Sequence, residues 1–386
     1  MFAICGGTVY TASAGVLEGA SILVHNKKIV AVGSHISIPH EAKIIQAAGK
    51  SITPGLVDCH THLGIAEEAV GDAHVDKNEV NDPISPHLRA LDGINPEDPG
   101  LHDAYSSGTT TIIVTPGSEN VIGGQSVALK TYGNVVDHMI LRQPAGIKMA
   151  FGENPIKMYM NKNKPPSTRM SIAGMIRETI IKAQSYDKKF RAGNTDRNLR
   201  MEALVMMLNG DIPLRAHAHA ADDIMTAIRI AEEFNLQLTI EHATAGHKVA
   251  DELAKRNIAA TIGPSITARV KVELKDRTYR TPALMHQAGV KIALITDHPF
   301  LPVSSLRIEA ALAIREGLPR DIALKAITQN AAEIIGVGDR VGSIEQGKDA
   351  DLVIFSGDPF ELATEVEQVF INGQTVFSTN IRHHHV

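Results

Sequence analysis

Apolar residues fall into two rhythms along this 386-residue chain. Between about residues 54 and 336, short and nearly continuous apolar runs alternate with amphipathic stretches. The runs Gly55–His60, Thr110–Thr115, His138–Leu141, Ile147–Phe151, Pro213–His217, Gln237–His242, Ile258–Ile262 and Lys291–Thr296 predict strands. Asp222–Phe234, Lys248–Arg256 and Ser304–Glu316 carry apolar residues at helical spacing and predict helices between them. Strands apolar on both faces and separated by helices belong in a parallel sheet covered on both sides. Eight runs in this region fit an α/β chain folded as a (β/α)8 TIM-like barrel. The third run is the weakest member, because no helix separates it from the fourth.

The two ends follow a different rhythm. "FAICGGTVYT", "ASILVHNKKIVAVG" and "KIIQAAGKSITPG" read as short strands, with a hairpin turn at Asn26-Lys27-Lys28. "GKDADLVIFSGDP" and "EVEQVFINGQTVFS" repeat that style at the other end, the second turning at Asn372-Gly373. Neither end can bury a core alone. The expectation is a small β-sandwich assembled from 1–53 and 337–380, flanking a metal-dependent barrel over 54–336. The stretch Gly64–Tyr105, rich in Asp, Asn, Pro and Gly, follows the first strand and predicts a lid or substrate loop.

Composition narrows the function classes. A net charge of −5 with no basic block argues against a nucleic-acid partner, and no apolar run is long enough to cross a bilayer. Two cysteines, Cys5 and Cys59, are too few for a disulfide framework, and the opening "MFAICGGTVYTASAG" lacks the pattern of a signal peptide. These features predict a cytoplasmic protein with a small-molecule substrate, and leave a homo-oligomer open. The 18 histidines are the compositional oddity; His383, His384 and His385 at the C-terminus are read as a tag remnant.

Several of the others sit where chemistry is expected. In "ITPGLVDCHTHLG", His60 and His62 alternate with Cys59 and so share one face at a strand end. "PLRAHAHAADD" places His217 and His219 at the end of another strand, "LTIEHATAGH" places His242 and "VKIALITDHPF" places Asp297. In an α/β barrel these C-terminal ends gather on one rim. Several imidazoles with a carboxylate suit zinc, or another borderline divalent ion such as manganese or iron.

These motifs resemble the amidohydrolase superfamily, within the group related to imidazolonepropionase and the metal-dependent dipeptidases. "PGLVDCHTHLG", "SSGTTTIIVTPGS", "RAHAHAADD", "TIEHATAGH" and "LITDHP" match the first, second, fifth, sixth and eighth barrel strands, and "GSIEQGKDADLVIF" matches the return to the small β domain. The resemblance implies that His60 and His62 hold the more buried metal and that His217 and His242 hold a second. It implies that Asp297 binds metal and serves as general base, with His242 and His219 completing the catalytic set; a hydrogen-bonded His219 at a helix N-terminus is the competing reading. "AGIKMAFGENP" matches the fourth strand, where many relatives carry a lysine carboxylated by carbon dioxide. Lys148 occupies that place, and Glu153 is its rival as bridging ligand. One or two ions remain open.

The function implied is metal-dependent hydrolysis of a C–N bond in an amide, cyclic amide or dipeptide-like small molecule. Deamination of a small ring is the alternative, weakened because "HAHAADD" offers Asp222 and Asp223 but no glutamate. A non-catalytic scaffold is a third reading, opposed by the filled ligand positions. Gly123-Gly124-Gln125-Ser126 lacks the lysine and spacing of a P-loop and reads as a turn. His74, His87 and His102 are assigned no role. Cys59 is expected to face a helix.

Overall fold

The computed structural model describes residues 1–68 and 75–379. His74 and the C-terminal histidines lie outside the described residues.

Among the described residues, sixteen strands, numbered here in chain order, form two sheets of eight. The N-terminal segment gives β1 (Phe2–Tyr10), β2 (Val16–His25), β3 (Lys28–Gly33), β4 (Lys43–Gln46) and β5 (Ser51–Pro54). The central segment gives β6 (Leu56–Thr61), β7 (Thr109–Val114), β8 (Ile122–Lys130), β9 (Ile140–Ala150), β10 (Leu214–Ala218), β11 (Leu238–His242), β12 (Ala259–Ile262) and β13 (Ile292–Leu294). The chain ends with β14 (Leu352–Phe355), β15 (Val366–Ile371) and β16 (Gln374–Ser378).

Strands β6 to β13 lie side by side in chain order and curl into a barrel. Its first and last edges meet where Asp297 N–H donates to His60 O at 3.1 Å and His62 N–H donates to His298 O at 2.9 Å. Helices Ala221–Phe234, Ala250–Lys255 and Leu306–Arg315 fall where helical spacing predicts them. Their apolar faces cover strand residues such as Leu214, Ile240 and Ile292, all fully buried. Truncating one of these to alanine costs about 2–5 kcal/mol in a core of this kind.

Two of the predicted barrel strands need correction. His138–Leu141 and Ile147–Phe151 are not separate strands: Ile140–Ala150 is one continuous strand, and His138 lies in the helical turn Val136–Met139 before it. The eighth strand is instead β8, which runs through Gly123–Ser126, the stretch read as a turn, and is antiparallel to both β7 and β9. An antiparallel meander needs no crossover helix, which is why none interrupts this region. The glycines have a steric reason. Gly124 has φ +122°, and a Cβ there would stand 2.5 Å from Leu88 O. That space admits segment 84–89, which bridges to β8 at Ile84–Ile122 and Arg89–Gln125.

The terminal strands form the second sheet, in the order β16-β15-β14-β5-β1-β2-β3, with β4 on β1. Strand β1 is shared: Phe2–Cys5 pairs with β4 and Thr8–Val9 with β5. Ile4, Ile22, Ile52, Leu352 and Phe370 form its core, so both ends of the chain contribute to one apolar cluster. Buried Lys130, the last residue of β8, joins this sheet to the barrel through Asp351 and, at 3.1 Å, Asp349. Lys28 and Arg340 also hold Asp349, at 2.7 and 2.9 Å. Among the described residues, no helix is long and apolar enough to cross a membrane.

Candidate metal centre

The predicted strand ends converge at the C-terminal mouth of the barrel. His60 and His62 leave β6, His217 and His219 leave β10, His242 closes β11, and Asp297 follows β13. All six side chains are buried. Alternation along β6 turns Cys59 the other way, into a cluster with Ala331 and Ala332 of the helix Gln329–Ile334. His242 and Asp297 sit at φ +71° and +55°. Such left-handed backbone costs a non-glycine residue about 1–3 kcal/mol and concentrates at functional sites.

Two groups of three place their ligand-type atoms within 4.8 Å of one another: His217, His219 and His242, and His60, His242 and Asp297. His242 belongs to both. His62 reaches the second group through Asp297 Oδ1, 3.3 Å from its Nε2; His60 Nε2 lies 3.2 Å from the same oxygen.

The hydrogen bonds fix which nitrogens carry lone pairs. His62 Nδ1 stands 2.7 Å from Thr115 O and His242 Nδ1 2.9 Å from Gly263 O. A carbonyl only accepts, so in each ring Nδ1 holds the proton and Nε2 the lone pair. His62 Nε2 therefore directs a lone pair at a carboxylate oxygen. Burial raises the Asp297 carboxyl, but the imidazoles of His242, His60 and His62 outweigh burial and hold it well below the ordinary carboxylate range. Burial pushes His242 down to about 3 and holds His217 and His219 well below the usual imidazole value. Burial favours the neutral form of His62, His217, His219 and His242; burial also lowers His60, but the Glu241 and Asp297 carboxylates outweigh it and raise His60 above the ordinary imidazole value. His217 Nδ1 is buried with no hydrogen-bond partner. This donor set fits a divalent metal.

Lys148 lies at the floor of this cluster, fully buried. Its Nζ is 2.5 Å from Glu241 Oε2 and 3.4 Å from His60 Nε2. Burial lowers its pKa, against the pull of the Glu241 carboxylate. Glu153 stands elsewhere, in neither ligand group. It pairs with Lys157 at 2.5 Å, and its backbone N–H donates to Glu273.

Two residues of this floor escape a motif-based reading. Glu241 takes Lys148 and His60 Nδ1 (3.0 Å) on one oxygen and Arg215 Nε (2.7 Å) on the other. Arg215 also donates to Cys59 O at 2.8 Å. The available signal was a charge inside an apolar strand: Arg215 is two residues before His217 on the same face, and Glu241 immediately precedes His242.

Above the cluster opens a cavity of about 610 Å³. Lys77 and Asn78 from the predicted lid loop line it, as do Ser118 and Glu119 from the β7–β8 connection and Lys271 from the segment after β12.

Comparison with known proteins agrees with this architecture. A crystal structure of an amidohydrolase from Thermotoga maritima superposes with a TM-score of 0.95 at 44% identity, covering 98% of this chain and 100% of that one. Imidazolonepropionase of Treponema denticola is 28% identical over 92% of this chain and 91% of its own. The amidohydrolase tasK of Hapsidospora irregularis is also 28% identical, over 88% of this chain, which spans only 38% of that longer protein. The amidohydrolase family profile matches residues 51–376. On that match, the chain belongs to the amidohydrolase family of metal-dependent hydrolases of carbon–nitrogen bonds.

Proposed function

We propose that this C–N bond hydrolase acts on an amide, cyclic amide or dipeptide-like small molecule; zinc would be held by His60, His62, His217, His242 and Asp297, with Lys148, once carboxylated, as a further ligand. One observation carries the reading: the Nε2 atoms of His62 and His242, each ring fixed by its Nδ1 hydrogen bond, share one buried cluster with the Asp297 carboxylate. When bound, the cation supplies Lewis acidity toward the substrate carbonyl and lowers the pKa of water toward about 7.

The chain's own groups do the rest. Asp297 accepts the proton of the attacking water at a carboxylate oxygen and delivers it to the leaving nitrogen. Its carboxyl is ionised at neutral pH, the form a proton acceptor needs. The hydrogen bonds that His62 and His242 donate through Nδ1 to Thr115 O and Gly263 O lock their rings, so their Nε2 atoms stay directed at the site. His219, its Nδ1 2.8 Å from Thr244 Oγ1, borders the cavity and orients the substrate carbonyl. Lys148 is suited to carboxylation because burial favours its neutral amine, the form that adds to carbon dioxide.

His217→Ala tests the assignment. Activity and at least one equivalent of metal are lost, while far-ultraviolet circular dichroism stays at the parent's value. Normal turnover by that variant would refute the ligand role.

A further inference from the structure

The segment after β12 crosses the mouth of the barrel. Residues 264–279 follow β12 and supply Pro264, Thr267, Val270, Lys271 and Leu274 to the cavity wall. At its root the segment is braced on its own side. Buried Glu309 accepts from the N–H groups of Ser265 and Ile266 at 2.7 and 3.0 Å, and Arg277 donates to Ser265 O. Arg269 closes the loop on itself, donating to Lys275 O at 3.2 Å and to Arg277 O at 3.0 Å. Asp276 pairs with Lys248 at 2.6 Å. None of these bonds reaches the far wall of the mouth.

Glu273 makes that crossing. Its Oε1 accepts from Glu153 N–H at 2.5 Å and from Arg169 at 3.2 Å, and its own N–H returns a bond to Glu153 Oε1 at 3.3 Å. Its Oε2 pairs at 3.7 Å with Lys271, which donates to Asn154 Oδ1 at 3.0 Å. Gly152 makes room for the carboxylate: a Cβ there would stand 2.1 Å from Glu273 Oε1. Glu153 and Asn154 begin the helix that follows β9, whereas the segment follows β12, and β10 and β11 lie between those strands. The contact therefore spans the ends of the two strands that carry His217, His219 and His242. Val270 and Val272, on either side of Lys271, are 80% and 73% exposed and gain little from packing. This part of the segment depends on polar bonds, which water can replace.

We propose that Glu273 is a positioning residue that latches segment 264–279 as a roof over His217, His219 and His242, and that release of this one carboxylate opens the mouth while the root stays braced. The latch sets access to the cluster and takes no part in bond making. This rests on the hydrolase reading above for what lies beneath the roof.

Two variants grade the latch. Glu273→Ala removes it, and Glu273→Gln keeps an oxygen for Glu153 N–H and Arg169 while losing the charge that pairs with Lys271. Hydrogen exchange read by mass spectrometry on the purified protein follows the segment, and transfer of zinc from the zinc-loaded protein to excess EDTA follows access to the cluster. Glu273→Ala is expected to speed exchange across 264–279 by about 10- to 100-fold, the loss of a charged hydrogen bond, while β10 and β11 exchange at the parent's rate. Zinc transfer should rise by about 10-fold, and Glu273→Gln should fall between Glu273→Ala and the parent in both measurements. Arg169→Met, whose half-exposed side chain holds the same carboxylate from the neighbouring helix, keeps the test open if Glu273→Ala misfolds. Exchange raised equally throughout the barrel would mark Glu273 as a general stabiliser and overturn the latch. Exchange at the parent's rate in these variants, or local opening with no faster zinc transfer, overturns it as well. A parent protein that takes up no zinc removes the metal reading, and the exchange comparison alone then decides the latch.

Discussion

Lys130 and Lys148 are both buried lysines on neighbouring barrel strands, and both are held by carboxylates, yet their surroundings give them opposite meanings. Lys130 closes the outer end of β8 against Asp349 and Asp351, and Lys28 and Arg340 complete that network. Every neighbour there is an ion-pair partner, and the network joins two sheets. Lys148 shares Glu241 with Arg215, and its remaining polar neighbour is His60 in the imidazole cluster. Burial alone therefore does not separate structure from chemistry. The distinction lies in whether the surrounding groups satisfy one another or leave lone pairs directed at a common point.

The largest expected effect is on the structural side. Lys130→Met leaves buried Asp351 without its cation, while Asp349 keeps Lys28 and Arg340, and should cost about 3–5 kcal/mol, read as a lower denaturant midpoint. Turnover per folded molecule should hold; a loss of turnover without a loss of stability would break the contrast. Lys148→Met should do the reverse. Arg215 still neutralises Glu241, so unfolding shifts less, while turnover falls by about 100-fold or more. A carbamate resonance in protein equilibrated with carbon-13 bicarbonate, absent from this variant, would sharpen the assignment. Glu241→Gln should weaken metal binding by about 10-fold, measured by competition with a chelator, because His60 and Lys148 lose their shared anchor. Glu153→Gln is the smallest change. Its partner Lys157 is largely exposed, so stability should move by less than about 0.5 kcal/mol and metal content not at all.

The mouth of the barrel was legible because its signals are local. A histidine or aspartate ending an apolar run declares its face and its end of the strand without knowledge of any distant partner. His60, His62, His217, His219, His242 and Asp297 are all found this way, and the fold brings them together. Strand β8 was hidden because Gly123 and Gly124 carry low strand preference, and the reason for Gly124, the close approach of Leu88, lies outside the local pattern. The helix-separated pattern also presumed parallel neighbours, whereas β8 reverses direction. Arg215 and Glu241 were visible as charges in apolar strands, but their pairing spans 26 residues and depends on strand order. The bond from Lys130 to Asp351 spans 221 residues and leaves no trace in either local sequence.

The reversed course of β8 bears on how this pocket can change. Because β8 runs against β7, the short connection 115–121 is itself part of the mouth, with Ser118 and Glu119 facing the cavity. It is a tight hairpin link pinned by two strands, with no helix to absorb an insertion. Length variation that retunes substrate choice must therefore fall elsewhere on the mouth, such as the segment after β12 that carries Lys271. A mutagenesis library seeking altered selectivity is best spent there, with this wall left as a fixed template.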